Sequence, residues 1–204
     1  MIEKPAVTDS PIHDLIRRRW SPRALSKQPV EPEKVRTLLE AARWAPSCYN
    51  FQPWAFLIAT RDNPDQFDRM FDCLVDQNKV WAESAWVLMI AVARINSWTE
   101  GKENPYAVHD VGLAIENLLL QAVDLGLYAH PMAGFKKKKA RQEYNIPDDC
   151  NPMTAVAVGY PGDPQDLPED LREMELGPRS RRSIEEYVFT GEWGKTAPII
   201  QNRK

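Results

Sequence analysis

The chain lacks most of the motifs that announce a protein chemistry. Its nine glycines form no G-x-G-x-x-G and no G-K-[ST] loop, which excludes the Rossmann and P-loop ways of cradling phosphate on backbone amides. No G-x-S-x-G elbow is present, so a hydrolase of that type is excluded. The three histidines, His13, His109 and His130, are scattered and pair with no cysteine or carboxylate at metal-ligand spacing. The three cysteines, Cys48, Cys73 and Cys150, are an odd number without C-x-x-C spacing, as expected of a reduced, cytoplasmic protein. No apolar run approaches the ~18 residues of a membrane span, and the first nine residues carry no apolar signal core. A net charge of −3 argues against general nucleic-acid binding. The carboxylate pairs Asp148-Asp149 and Glu185-Glu186 are adjacent, so they point apart and read as solvated. Cys48 has no base supplied by its neighbours and reads as a small packed thiol. Without a protein-borne acid–base or nucleophilic constellation, hard chemistry has to come from a cofactor.

What the chain does have is stiffness, aromatics and arginine. Seventeen prolines outnumber the glycines, and seven tryptophans are a high count for 204 residues, a length that fits one domain. Arginines cluster at 17–23 and at 179–182, and guanidinium forks are the natural substitute where a glycine-rich phosphate loop is missing. Residues 45–54, Ala-Pro-Ser-Cys-Tyr-Asn-Phe-Gln-Pro-Trp, combine two φ-locked prolines with amide and hydroxyl side chains, which suits the rigid wall of a binding site.

Taken in order, residues 1–10 read as a loose arm. A helix starts at Ser10-Pro11 and runs through Leu15 and Ile16 until Pro22 stops it. A second helix opens at 30–33 with Val35, Leu38, Leu39, Ala42 and Trp44 on its apolar face. A strand covers 54–59, a helix runs from Asn63-Pro64 through Val75, and 85–93 is apolar on both faces, hence a central strand. Residues 94–104, with Trp98 and Gly101, read as a loop or lid. The longest helix spans 105–125 and is capped by Gly126. A strand enters a turn over 127–135, the lysines at 136–139 begin an exposed helix, and 153–160 is another strand. Residues 161–178, rich in Pro, Asp and Glu, read as an extended linker, followed by a short strand or helix over 184–189 and a tail with Trp193. Helices alternating with buried strands give an α/β class.

Four segments together resemble the FMN-dependent nitroreductase family: 19–23 (Arg-Trp-Ser-Pro-Arg), 45–54, 132–135 (Met-Ala-Gly-Phe) and 179–181 (Arg-Ser-Arg). The resemblance covers 11–189, leaving 1–10 as an arm and 190–204 as a tail able to wrap a partner subunit. It implies an α+β fold, a three-layer α/β/α sandwich with a mixed, mainly antiparallel sheet, and a homodimer with FMN at the subunit interface. By position it implies that Arg19 holds the FMN phosphate beside Trp20, that Ser21 and Arg23 meet the pyrimidine edge of the ring, and that Arg179 and Arg181 close on the phosphate. Pro46, Ser47, Cys48 and Asn50 would approach the flavin of the other subunit, and Pro131, Ala133 and Gly134 would pass along the ring. Some members carry glutamate where Ala133 stands, and an asparagine and a lysine where Gln77 and Val80 stand. Gln77 takes that place here, with Asn78 as a neighbour able to substitute. The activity implied is reduction of a small-molecule acceptor, a nitroaromatic or quinone, by NAD(P)H in ping-pong fashion. Relatives of the same fold dehalogenate, oxidise cyclised peptides or fragment flavin, and a non-catalytic flavin-binding dimer is a further alternative.

Overall fold

The strand Val87–Arg94 sorts the molecule into layers, because its residues alternate between two separate cores. In the computed structural model, which describes residues 3–96 and 103–200, Leu88, Ile90 and Val92 face one apolar cluster, while Val87, Met89, Ala91 and Ala93 face the other. Seven of the strand's eight residues are buried, as its unbroken apolar run requires.

The helices are α1 (Asp14–Arg18), α2 (Pro32–Arg43), α3 (Pro64–Phe71), α4 (Asp76–Ala82), α5 (Ala107–Asp124), α6 (Lys137–Glu143) and α7 (Glu169–Leu176). The strands are β1 (Leu25–Ser26), β2 (Trp54–Thr60), β3 (Val87–Arg94), β4 (Tyr128–Met132) and β5 (Cys150–Pro161). They form one sheet in which β5 lies between β3 and the pair β1 and β4, with β2 on the far side of β3. Every ladder among the described residues is antiparallel. The α/β reading from alternation is therefore corrected, and the fold is an α+β sandwich: α3 and α4 join β2 to its antiparallel neighbour β3, and α6 joins β4 to its antiparallel neighbour β5. Helices α2 and α5 cover one face through Leu38, Ala42, Ala114 and Leu118. Helices α3, α4 and α6 cover the other through Phe67, Met70, Trp81 and Ala140.

Several elements depart from expectation for identifiable reasons. Helix α1 begins at Asp14, not after Ser10, because the His13 ring accepts the Leu15 N–H as its cap. Trp44 is 71% exposed instead of lying on the buried face of α2; its indole donates to Glu40 at 2.8 Å and Arg43 stacks on it. The helix expected through Val75 breaks after Phe71 and restarts as α4, a helix too short for its period to be read. The stretch 161–178 is no linker: it holds a 3₁₀ turn and α7. Of the loop expected over 94–104, residues 97–102, with Trp98 and Gly101, lie outside the described residues; its ends are joined by the Asn96–Glu103 bridge.

Candidate functional site

Helix α1 stops where its sequence says it must. Arg19 leaves helical dihedrals (φ −60°, ψ 125°) and Pro22 bars any continuation. The chain turns extended and exposes a cationic corner. Arg19, Arg179, Arg181 and Arg182 line a cavity of about 430 Å³ together with Glu116 and Tyr187, a volume within the ~300–1,000 Å³ of small-molecule sites. Arg19 is only loosely balanced, its Nε lying 3.8 Å from Glu116 on α5. Arg181 donates to the adjacent Ser180 carbonyl at 2.8 Å. Arg179 has a fastening role as well: it donates to the carbonyls of Lys4, Arg17 (3.1 Å) and Arg19 (2.8 Å), so it clamps the C-terminal segment and the N-terminal arm to the end of α1. Burial, then the neighbouring charges of Arg19 and Arg181, push the Arg179 guanidinium below its usual value. Cations crowded enough to disfavour one another are a place where an anion is welcome.

The next residues run between core and pocket. Trp20 is turned inward, 9% exposed, edge-on to Tyr128 (centroids 6.0 Å apart) with the Lys4 ammonium over its ring. Ser21 and Arg23 are half-buried. Their backbone is held by two groups that the sequence did not single out. His130 of β4 sits 2.9 Å from the Pro22 carbonyl through Nδ1. A carbonyl only accepts, so that nitrogen carries the proton in this bond. Burial foremost, with the Arg23 and Arg19 charges, lowers the His130 pKa to about 4, opposed by its backbone hydrogen bonds. From the opposite end of the chain, Glu175 of α7, 1% exposed, accepts the N–H groups of Arg23 and Ala24.

Strand β4 continues into the turn of Pro131, Ala133 and Gly134. The Gly134 carbonyl accepts from the Val75 N–H (3.2 Å) and from Asn78 Nδ2 (2.9 Å). A Cβ at 134 would meet Asn78 Nδ2 at 2.7 Å and Val75 Cγ2 at 2.9 Å, so glycine is required here by space. Asn78 is thus the α4 residue tied to this turn, while Gln77 is exposed beside it.

Residues 45–54 form the separate wall. Tyr49, Asn50 and Gln52 adopt left-handed φ of 49°, 58° and 49°, a strained choice for non-glycine residues. Ser47 supports the bend by accepting the Gln52 N–H at 3.0 Å, and Cys48 N–H donates to Asp110 at 2.9 Å. Asp110, 2% exposed, is also 2.9 Å from His109 Nδ1. Pro46, Ser47, Cys48 and Asn50 therefore ride on the first turn of α5.

The structure brings Arg19, Arg179 and Arg181 into one pocket and ties Pro22, between Ser21 and Arg23, to β4. The 45–54 wall stands elsewhere. Its anchor Asp110 lies six residues before Glu116, about 9 Å along α5 and roughly 120° around it. Among the described residues, no hydrogen bond or ion pair joins this wall to Arg19, Ser21, Arg23, Pro131, Gly134, Arg179 or Arg181.

Comparison with known proteins gives a consistent answer. A family model described as the nitroreductase family matches residues 16–160. A crystal structure described as an oxidoreductase containing FMN superposes with a TM-score of 0.88 and 34% identity, over 93% of this chain and 96% of that one. An uncharacterised 15.4 kDa protein of Mycolicibacterium smegmatis is 35% identical over 121 residues, 59% of this chain and 80% of its own. An iodotyrosine deiodinase of Thermotoga neapolitana is 27% identical over 169 residues, 76% of this chain and 90% of its own.

Proposed function

The chain belongs to the nitroreductase family, and from that membership we propose that it is an FMN-dependent oxidoreductase that uses NAD(P)H to reduce nitroaromatics, quinones or related small acceptors. The observation that carries this reading is the pocket where Arg19, Arg179 and Arg181 converge from opposite ends of the sequence. Its donor set fits a phosphomonoester: forked guanidiniums around a cavity of small-molecule size, with one cation, Arg179, disfavoured first by burial and then by its cationic neighbours. Arg19 and Arg181 would hold the FMN phosphate, and Arg179 keeps both chain ends in place around it while adding its charge. Trp20 contributes by packing, since its ring is in the core.

FMN, when bound, would supply the redox chemistry, taking a hydride from NAD(P)H and passing electrons to the acceptor in ping-pong order. The chain's own residues bind and orient. Ser21 and Arg23, on a backbone clamped by His130 and Glu175, would present a hydroxyl and a cation to the polar edge of the ring, where positive charge favours the reduced anion. Pro131, Ala133 and Gly134 would run along the ring, with Asn78 fixing the turn. Gln77, exposed on α4, would add a contact at the rim.

The site is completed in a homodimer. The 45–54 wall stands on another side of α5, so Pro46, Ser47, Cys48 and Asn50 would face the flavin of the partner subunit. Trp44, Tyr49, Tyr106 and Val108 near that wall are 71%, 89%, 54% and 45% exposed, an apolar set that a second copy would cover. The tail over 190–204, of which 201–204 lie outside the described residues, would extend across it.

The deiodinase relative favours a second reading, reductive dehalogenation by the same site. One experiment addresses both: anaerobic reduction of the FMN-loaded protein by NADH and by NADPH, then reoxidation by a nitroaromatic, a quinone and an iodotyrosine. Bleaching followed by rapid reoxidation with the first two supports the proposal. Reoxidation by iodotyrosine alone would transfer it to dehalogenation, and flavin that neither nucleotide bleaches would leave only a binding role.

A further inference from the structure

The most unusual buried group is Glu175. It is 1% exposed, whereas Met174 and Leu176 on either side are 60% and 52% exposed and only Leu171 of α7 also packs against the core. A carboxylate withdrawn from water is costly unless hydrogen bonds replace its hydration. Here they do. Oε1 accepts the N–H groups of Arg23 (2.9 Å) and Ala24 (3.0 Å), and Oε2 is 3.1 Å from the Arg23 nitrogen. These amides lie just before the β1 ladder begins at Leu25, so strand pairing does not satisfy them. The Lys4 ammonium stands over Trp20 and donates at 2.5 Å to the main-chain carbonyl of Glu175 itself. Burial lowers the Lys4 pKa, while the Glu175 charge acts the other way.

The segment is thereby gripped at consecutive residues: His130 takes the Pro22 carbonyl and Glu175 takes the next two amides. The grip acts on main chain alone, so it fixes where the Ser21 and Arg23 side chains start without competing for them.

We propose that Glu175 is a positioning residue of the flavin site, holding residues 21–24 at the register from which Ser21 and Arg23 meet the ring. This rests on the FMN reading above and assigns part of that site to α7. Lys4 serves as the cation that holds Glu175 in place, so the N-terminal arm belongs to the same device.

The test compares wild type with Glu175→Leu, which keeps much of the volume but removes both acceptor oxygens from the two amides. Hydrogen–deuterium exchange of the FMN-free proteins reads the grip directly. Exchange at Arg23 and Ala24 is expected to be at least tenfold faster in the variant, with β3 unchanged. FMN titration reads the consequence: Kd is expected to rise about tenfold, and the visible spectrum of the FMN-saturated variant to shift. Faster exchange with unaltered Kd and spectrum would mean that Glu175 merely anchors α7, and unaltered exchange would remove the grip; either result overturns the proposal. Wild type that binds no FMN would overturn the flavin reading and this inference with it, even where the exchange result stands. Should the Leu variant fail to fold, Lys4→Met is measured in the same way, with a smaller change of the same sign expected and no change overturning the proposal.

Discussion

At the scale of single residues, the cationic corner makes the sharpest demand. Arg19→Ala removes a charged hydrogen-bond donor and should weaken FMN binding by about 1.5–3 kcal/mol, read as Kd by flavin fluorescence titration. Unchanged affinity would take the phosphate away from Arg19. Gly134→Ala pushes a methyl into Val75 Cγ2 and Asn78 Nδ2. Val75 is β-branched and Asn78 is held by its bond to the Gly134 carbonyl, so neither yields easily. An overpacking cost of about 1–3 kcal/mol follows, seen as a Tm lower by about 2–4 °C per kcal/mol for a chain of this length. His130 gives a pH signature. Its folded value of about 4 lies below the ordinary 6.5, so between these the unfolded chain binds more protons. Its contribution is whole above pH 6.5 and is lost as pH falls towards 4, by roughly 3 kcal/mol at most. The difference in stability between wild type and His130→Gln should shrink over that window, and a constant difference would contradict the assignment. Arg19, Arg179, Arg181 and Gly134 were all legible in the sequence, because short motifs carry them. Glu175, Asp110 and His130 were not. Their importance comes from partners 152, 62 and 108 residues away, and such pairings leave no local pattern.

At the scale of elements, periodicity found the pieces with a clear apolar face and missed those without one. Strand β3 and helix α5 were plain, since each has an apolar run or stripe matching its period. Helix α7 reads as linker in the sequence because its one buried position is occupied by glutamate, which inverts the usual amphipathic signal. The class itself needed the resemblance: alternation of helix and strand suggests parallel pairing, and only the register of β3 with β2 and β5 reveals the antiparallel sheet. The 45–54 wall illustrates what sequence gives and what it withholds. Its rigidity was readable from Pro46 and Pro53, whereas its left-handed run and its Asp110 anchor were not. Asp110→Ala strands the Cys48 N–H and should cost about 1–3 kcal/mol, with exchange in residues 47–52 accelerated more than in α5. Equal acceleration in both would mean that the helix, and not the wall, depends on this carboxylate.

At the scale of the whole molecule, the arginine pocket is lined without any residue of the 45–54 wall. His130 of β4 is bonded to Pro22, three residues after Arg19, while the wall on the first turn of α5 is offset around that helix. In the proposed dimer, association of two copies would bring a wall to each pocket and cover Trp44 and Tyr49 at once. Dilution that separates the subunits should therefore release FMN, in parallel with loss of the dimer peak in sedimentation; flavin retained by monomers would contradict shared sites. The central claim, a flavin held at the corner built by Arg19, Arg179 and Arg181, is tested most directly by titrating the purified protein with FMN while following its visible spectrum and mass. The account predicts a yellow protein that binds one FMN per chain as a dimer. A colourless protein that binds no added FMN would contradict it.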